Sequence, residues 1–294
     1  MHPGISLQAG AMRCEIHPAL GGCVAGLWFA NRQVLRSTPA IELQSVRLSG
    51  SYPLVPYSNR VGYGHLHWGG GQTELALNFA PEPHAIHGVG WERAWAVDSS
   101  NITAAVLTYR HQPDMSWPFA FEATQTFTLS DAALDMHLSL TNRAKVQAPA
   151  GLGWHPYFAK SPQTRINFPA QGRWEMGPDK LPTVRLPHAG IQSDCTSLNV
   201  DHCFEGWRGL LQLTEGPLRM HVSSDLACLV VFTTPERDNI AIEPVSHVNN
   251  ALALAAKTGV SPQSLGIRVL QPGETFAASM RIAIAHAGRV SQLP

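Results

Sequence analysis

The sequence is poor in charged residues and has no charge of one sign in excess. Charged residues make up 14% of its 294 residues, and 21 basic residues balance 21 acidic ones. Lysine is especially scarce, since it occurs only at positions 145, 160, 180 and 257. A chain with zero formal net charge has no broad positive field to hold nucleic acid or an anionic membrane surface. We therefore expect neither as a partner and predict a neutral, hydrogen-bonding small molecule as the ligand.

Paired cysteines and long apolar runs are also missing. The five cysteines are an odd number without a Cys-x-x-Cys pair, which argues against a disulfide framework or a cysteine-rich zinc site. No apolar stretch approaches the roughly 20 residues that span a bilayer. The first residues lack the basic segment and apolar run of a signal peptide. These absences favour a cytoplasmic protein with no membrane association.

The residues that are abundant favour an all-β fold. Hydrophobic residues make up 44% of the chain, and 25 glycines and 22 prolines supply many turns. Leu134, Met136, Leu138 and Leu140 alternate with polar residues, the period of a strand with one buried face. A hairpin is predicted around residues 215–217 and a short helix over residues 249–256 before Gly259. No repeat or linker divides the chain, so residues 1–294 are predicted to form one domain.

The segment Gly-Leu-Gly-Trp-His-Pro-Tyr-Phe at residues 151–158 contains one titratable side chain, His155. An unperturbed histidine titrates at roughly pH 6.5, close to neutral pH. Because Pro156 follows, His155 is expected on extended backbone at a strand or strand end. An imidazole among aromatic rings suits proton transfer in a sugar-shaped pocket. A core histidine bonded to a carbonyl is the alternative.

Two segments upstream carry candidate ligand-binding residues. Asn59 and Arg60 lie in a loop shaped by proline and glycine, where the guanidinium either grips a ligand oxygen or clamps a carbonyl. Histidines follow at positions 65, 67, 84 and 87, but no acidic residue accompanies them at ligand spacing, so metal binding is disfavoured. We predict instead that Trp91 and Trp95 form a pocket wall.

Two carboxylates follow in the second half of the chain. Asp201 precedes an apolar anchor and is either a turn residue or a ligand contact. Glu243 ends an apolar run and precedes proline, so burial is expected to raise its pKa and strengthen it as a base. A surface glutamate is the alternative. Before these two carboxylates, residues 161–199 are rich in proline and glycine and are predicted to form a long excursion with strand fragments, the kind of loop that often covers a site.

Taken together, these segments resemble the aldose 1-epimerase (galactose mutarotase) family over most of the chain. The matching motifs, in the family's order, are Asn59-Arg60, residues 84–95, residues 154–158, Asp201 with Phe204, residues 242–245 and residues 271–275. The resemblance implies a large antiparallel β-sandwich with few short helices and an open sugar site. It also implies interconversion of the α and β anomers of a free aldose, without a metal or organic cofactor.

The resemblance further implies roles for individual residues. His155 would be the general acid on the ring oxygen and Glu243 the base on the C1 hydroxyl. His87 would bond near the ring oxygen or the anomeric centre, while Arg60 and Asp201 would hold sugar hydroxyls, with Asn59 beside them. Trp154 departs from the family pattern and is predicted to narrow the pocket and influence substrate choice.

Three other functions stay open on the sequence alone. A hexose-6-phosphate mutarotase of the same fold would need a cationic phosphate pocket, to which Arg93 could contribute. A non-catalytic sugar-binding module would keep the tryptophans and Arg60 without needing the acid–base pair. A metal enzyme would be built on the four histidines. The sequence leaves both a monomer and a homodimer open.

Overall fold

The computed structural model describes residues 4–286. The single-domain prediction also includes residues 1–3 and 287–294, which lie outside this description. The first thirteen strands are β1 (Ile5–Ala9), β2 (Met12–His17), β3 (Cys23–Phe29), β4 (Arg32–Gln33), β5 (Pro53–Leu54), β6 (Arg60–Val61), β7 (His65–Trp68), β8 (Gly71–Glu74), β9 (Ala85–Ile86), β10 (Ala96–Ser100), β11 (Ala104–His111), β12 (Phe121–Leu129) and β13 (Ala133–Asn142).

The second half of the chain continues in the same way. Its strands are β14 (Ala148–Ala150), β15 (Gly153–Trp154), β16 (Tyr157–Ala159), β17 (Arg165–Pro169), β18 (Gly172–Met176), β19 (Pro182–Pro187), β20 (Gly190–Asp194), β21 (Val200–Glu205), β22 (Leu210–Glu215), β23 (Leu218–Ser224), β24 (Cys228–Thr233), β25 (Asn239–Val245), β26 (Arg268–Leu270) and β27 (Thr275–His286). The described chain has one α-helix, α1 (Ala251–Thr258), and 3-10 turns at Val46–Leu48, Gly62–Gly64, Gly90–Glu92 and Pro262–Leu265.

Two large antiparallel sheets form the body of the fold. A nine-stranded sheet has the order β10-β11-β12-β13-β27-β23-β22-β17-β20. An eight-stranded sheet has the order β19-β18-β21-β24-β25-β15-β5, with β16 also paired to β25. A four-stranded sheet, β1 to β4, and three two-stranded ribbons complete it. This antiparallel β-sandwich confirms the predicted fold class.

The nine-stranded sheet follows the predicted alternation. In β13, Leu134, Met136, Leu138 and Leu140 are buried, whereas His137 is exposed on the opposite face. The side chains of a strand point alternately to the two faces of its sheet, so this sequence can bury one face and solvate the other. The predicted hairpin is β22–β23, and the predicted helix is α1, which ends at a left-handed Gly259.

Strand β25 is buried along its whole length, unlike the half-exposed strands of the other sheet. Ile240 and Ile242 belong to the hydrophobic core. Glu243 is directed to the other face of the sheet, because successive residues of a strand alternate. The second face of this strand is therefore covered as well, and a buried carboxylate lies on it.

Residues 161–199, predicted as a long excursion with strand fragments, are more regular than expected. This segment forms four strands, β17 to β20, which add to the edges of both large sheets. Three of its five prolines, Pro169, Pro182 and Pro187, lie at strand ends, where a missing backbone donor does not interrupt a ladder. No helix in the described part of the chain has the length and apolar character needed to cross a membrane.

Candidate active site

His155 and Glu243 face each other across two strand pairings. β15 and β16 flank His155 in the chain, and both pair with β25, which carries Glu243. The register on either side joins Gly153 to Val245 and Tyr157 to Ala241. This register places His155 opposite Glu243, and the His155 Nε2 atom lies 3.1 Å from Glu243 Oε1. The predicted strand-end position of His155 is confirmed.

Burial acts on both members of this pair. It lowers the pKa of His155 well below 6.5, and the nearby His87 lowers it further. Burial also raises the pKa of Glu243 well above 4.5, and the Asp201 charge adds to this shift. Burial thus disfavours the charged form of each group. Within residues 4–286, Glu243 Oε2 is buried and has no hydrogen-bond partner.

Aromatic rings fix the His155 imidazole. The centroid of the Tyr157 ring lies 4.4 Å from that of His155, and the Tyr52 centroid lies 4.7 Å away. The Tyr157 hydroxyl is 3.5 Å from His155 Nε2 and 3.3 Å from the Tyr52 hydroxyl. His87 stands nearly perpendicular to His155, with 5.1 Å between the ring centroids. The imidazole is therefore oriented chiefly by packing.

His87 and Asn59 hold one another in strained backbone conformations. Their φ angles are 62° and 54°, in the left-handed region that non-glycine residues seldom occupy. The backbone N–H of Asn59 donates to His87 Nδ1, and the backbone N–H of His87 donates to the Asn59 carbonyl. Burial and the Arg60 charge lower the pKa of His87 to about 3. The ring is therefore neutral, with its proton on Nε2 available to a ligand.

Arg60 is clamped by a carboxylate. Its Nε and Nη2 atoms each lie 3.3 Å from an oxygen of Glu82, and Nη1 donates to the side chain of Asn59. Lys180 Nζ lies 2.6 Å from the same carboxylate. Partial burial opposes ionisation of Glu82, but the hydrogen bonds from Arg60 and Lys180 outweigh it and lower its pKa to about 2. The guanidinium is thus fixed at the cavity wall.

These groups line one cavity of about 390 Å³. Its aromatic walls are Tyr52, Phe79, Tyr157 and Phe232, and its carboxylates are Glu82, Asp201 and Glu243. Its cations are Arg36, Arg47, Arg60, Lys180 and Arg237. A cavity of this size, with aromatic faces and converging polar groups, suits a small polar ligand such as a monosaccharide.

Six of the seven residues predicted for the site line this cavity, namely His155, Glu243, Arg60, His87, Asp201 and Asn59. Trp154 is the exception, and the prediction that it narrows the pocket was wrong. It is 1% exposed and belongs to the hydrophobic core. Adjacent residues on extended backbone point to opposite faces, so a His155 that faces the cavity directs Trp154 away from it.

One further expectation is corrected by the structure, and two other residues named from the sequence lie away from the cavity. Trp91 and Trp95 are buried in the core and do not line the cavity, although Trp91 packs behind Tyr52. His84 lies beneath the surface, where Nδ1 accepts from the Tyr63 backbone and Nε2 meets the Asp179 carbonyl. Arg93 is paired with Asp114 outside the cavity.

Several lining residues were not predicted. Glu82 is a charged residue between two prolines in a chain with few charged residues. This unusual setting is the feature of the sequence that could have marked it as a site residue. Arg36 and Arg237 enter from distant parts of the chain, and Lys180 comes from the segment that was expected to be irregular. No short motif surrounds these three residues.

Comparison with known proteins gives a family match over nearly the whole chain. The family described as Aldose 1-epimerase matches residues 3–283. The uncharacterized protein YphB of Escherichia coli K12 is 28% identical over 296 residues, covering 95% of this chain and 98% of YphB. The uncharacterized protein YihR of the same organism is 24% identical, covering 67% of this chain and 70% of YihR.

Solved structures share the fold. A provisionally assigned aldose 1-epimerase from Escherichia coli K12 superimposes with a TM-score of 0.86 at 25% identity, covering 96% of this chain and 99% of that protein. A galactose mutarotase-like protein from Clostridium acetobutylicum gives 0.83 at 18% identity, covering 96% and 95% of the two chains. At that identity, the second likeness concerns the fold alone.

Proposed function

Because the chain belongs to the aldose 1-epimerase family, we propose that it is a mutarotase, which interconverts the α and β anomers of an aldose. The observation that carries this proposal is the buried contact between His155 and Glu243. Ring opening requires one proton to be delivered to the ring oxygen and another to be removed from the C1 hydroxyl. Both oxygens are bonded to C1, so an acid and a base that act on them must lie side by side, as these two groups do.

The reaction uses one proton that His155 and Glu243 share. In the reactive form of the pair, the proton is on His155 and Glu243 is ionised. In ring opening, His155 donates this proton to the ring oxygen while Glu243 accepts the proton of the C1 hydroxyl, and the bond between C1 and the ring oxygen breaks. The open-chain aldehyde rotates about the C1–C2 bond. In ring closure, the C5 hydroxyl attacks the other face of the aldehyde, with His155 now accepting a proton and Glu243 returning one. The two groups end in their starting states.

The surrounding groups suit the binding of sugar oxygens. The neutral His87 offers an Nε2–H donor on the His155 side of the cavity. Arg60, fixed by Glu82, offers donors that need not be ordered when the ligand binds. Asp201 offers acceptors to sugar hydroxyls. Aromatic rings can cover the apolar C–H face of the ring.

A non-catalytic sugar-binding module is less well supported by this geometry. Binding alone gives no reason to bury a carboxylate and an imidazole in contact, because burying titratable groups costs free energy. In a mutarotase, the same burial lowers the pKa of the imidazole and raises that of the carboxyl, so that the proton affinities of acid and base become more similar. The buried pair therefore favours the catalytic proposal.

The experiment is anomer exchange measured with purified protein. Pure α anomers of hexoses, pentoses, deoxy sugars, sugar phosphates and uronic acids are dissolved, and equilibration is followed by polarimetry or NMR, with the buffer rate subtracted. We expect a protein-dependent rate for at least one of these sugars. Folded protein that accelerates none of them contradicts the proposal.

A further inference from the structure

Three arginines at the cavity share an unusual arrangement. The guanidinium carbon of Arg36 lies 3.9 Å from the centroid of the Tyr157 ring. That of Arg47 lies 3.7 Å from the Phe79 ring, and that of Arg237 lies 4.8 Å from the Phe232 ring. All three aromatic rings line the cavity. Stacking of this kind holds a planar guanidinium and leaves its edge free to donate.

The charges of these three arginines are not neutralised by the protein. Among residues 4–286, no carboxylate lies within 4 Å of any of them, unlike Arg60, which is paired with Glu82. Arg36 donates to the main-chain carbonyls of Arg47 and Ser49, which are uncharged. Arg237 Nε is buried without a hydrogen-bond partner. Arg36 and Arg237 are partly buried, whereas Arg47 is exposed. Partly buried cations without counterions are costly, so these two arginines indicate that an anion completes the site.

The position of two of these arginines indicates where the anion belongs. Arg36 stacks on Tyr157, whose hydroxyl is 3.5 Å from His155 Nε2. Tyr157 and Phe232 are both paired with Ala241 across the sheet, so Arg237 lies over the same row of residues. Tyr157 and Phe232 lie on β16 and β24, which flank β25 on opposite sides. Arg36 thus lies on the His155 side of β25, and Arg237 lies over the same row of residues on the other side of that strand.

The proposed reaction orients a sugar relative to that side. Glu243 faces the hydroxyl on C1, and His155 faces the ring oxygen. In a pyranose, the ring oxygen is bonded to C1 and to C5, so C5 and its substituent C6 extend beyond His155, away from Glu243. A group on C6 is therefore the part of the sugar that comes nearest to Arg36, and Arg237 lies over the same row of residues.

We propose that the substrate is an aldohexose that carries an anionic group on C6, bound by Arg36 and Arg237 with Arg47 at the rim. This inference rests on the proposed mutarotase function and names its substrate class. The shared chemistry is a set of negatively charged oxygens, as in a phosphate ester, a sulfonate or a carboxylate, which the arginine fork matches. It revises the sequence-based expectation of a neutral ligand, which followed from the charge of the whole chain.

The first test compares sugars that differ only at C6. Anomer exchange is measured for glucose, glucose 6-phosphate, 6-deoxy-6-sulfoglucose and glucuronic acid at low ionic strength. We expect kcat/KM for at least one anionic sugar to exceed that for glucose by about 10- to 100-fold, since charge-assisted bonds are lost without the anion. The phosphate, sulfonate and carboxylate distinguish the charge and shape that the site prefers. Equal or greater kcat/KM for glucose overturns the inference.

The second test uses variants and a matched control. In Arg36→Gln and Arg237→Gln, the ratio of kcat/KM for the preferred anionic sugar to that for glucose should fall by about 10-fold or more. Arg237→Lys keeps a charge but loses the fork, so it should retain part of the ratio. Arg268, which stacks 5.3 Å from the Phe276 ring outside this cavity, supplies the control. Arg268→Gln should leave the ratio unchanged, whereas an equal fall in all variants contradicts the inference.

A third test separates this inference from the proposed function. The compounds 1,5-anhydroglucitol and its 6-phosphate have no anomeric hydroxyl, so calorimetry measures their binding without any reaction. Tighter binding of the 6-phosphate that is lost in Arg36→Gln supports the anion site even if no sugar undergoes anomer exchange. Equal binding of the two compounds, together with equal turnover of neutral and anionic sugars, overturns the anion site while the mutarotase function stands.

Discussion

Glu243 Oε1 lies 3.1 Å from His155 Nε2, and the strand register places the two residues directly opposite each other. Both segments contain an X-Pro sequence, Pro156 after His155 and Pro244 after Glu243, which favours extended backbone at each residue. A sheet fixes the relative positions of opposing side chains more firmly than a loop. The distance between acid and base is therefore set by the sheet.

The first prediction concerns this pair. Glu243→Gln should lower kcat for anomer exchange by about 10²- to 10⁴-fold, because the amide cannot accept the C1 hydroxyl proton. His155→Asn should have an effect of similar size, because the amide cannot protonate the ring oxygen. Both are measured as the rate above buffer with the preferred sugar.

Folding must be verified alongside these rates. Circular dichroism and urea unfolding should show that both variants retain the wild-type fold. His137, exposed on β13, provides the control, and His137→Asn should keep the wild-type rate. Near-normal turnover in either site variant would remove that residue from the proposed mechanism.

The second prediction concerns pH. Burial lowers the pKa of His155 well below 6.5 and raises that of Glu243 well above 4.5. At low pH the pair gains a second proton and loses its base, and at high pH it loses its only proton and with it the acid. A plot of kcat/KM against pH should therefore be bell-shaped, with an acid limb whose midpoint lies well below 6.5 and an alkaline limb whose midpoint lies well above 4.5.

The same profile in a variant identifies the pair. Residual activity of Glu243→Gln should lack one limb of the bell, because a single titrating group remains. Exchange NMR at equilibrium, with the spontaneous rate subtracted at each pH, provides the measurement. An acid limb with its midpoint at or above 6.5 in the wild type would contradict the lowered pKa that burial gives His155.

Much of the site could be predicted from sequence because its residues lie in short, local motifs. Asn59 and Arg60 are adjacent, and His155 and Glu243 each precede a proline. The alternation of side chains on extended backbone could also have excluded Trp154, since it lies next to a residue assigned to the pocket. Its placement in the core was thus available from the sequence but was not used.

The cationic side of the cavity could not be predicted in the same way. Arg36 and Arg237 are 201 positions apart, and the rings on which they stack, Tyr157 and Phe232, lie on strands that flank β25. A zero net charge for the chain says nothing about how charges are distributed between surface and cavity. Likewise, the prolines of residues 161–199 resembled a loop, but several mark the ends of short edge strands.

The third prediction concerns Glu82 as a positioning residue. Hydrogen bonds from Arg60 and Lys180, which outweigh the effect of burial, lower its pKa to about 2, so it is ionised throughout the neutral range. Glu82→Gln removes that charge and leaves Arg60 less firmly held. We expect KM to rise by about 10-fold with a smaller change in kcat, because ligand binding must then order the guanidinium. Steady-state kinetics with the preferred sugar measures both constants.

Two comparisons test this assignment. Glu74, exposed on β8, is the control, and Glu74→Gln should leave both constants unchanged. Glu82→Asp keeps the charge and should restore part of the lost affinity. A fall in kcat without a rise in KM would instead assign Glu82 a part in the chemical step.

The fourth prediction concerns Gly153, two residues before His155. A Cβ atom at this position would lie 2.7 Å from the Pro244 carbonyl oxygen and 2.8 Å from Val245 Cγ1, so β15 must move away from β25. Gly153→Ala should cost about 1–3 kcal/mol of unfolding free energy, as overpacking does. It should also lower kcat, by as much as about 100-fold if His155 moves by 1 Å relative to Glu243. Urea unfolding and anomer exchange measure the two effects.

Gly71 provides the matched glycine control for this substitution. A Cβ atom there would meet only the Trp68 carbonyl oxygen, at 3.8 Å, which is ordinary contact. Gly71→Ala should therefore leave both stability and kcat near the wild-type values. If Gly153→Ala were destabilised but kept its full kcat, the sheet contact at Gly153 would support the fold without setting the distance between His155 and Glu243. A loss of both stability and kcat would link the packing of this glycine to the catalytic geometry.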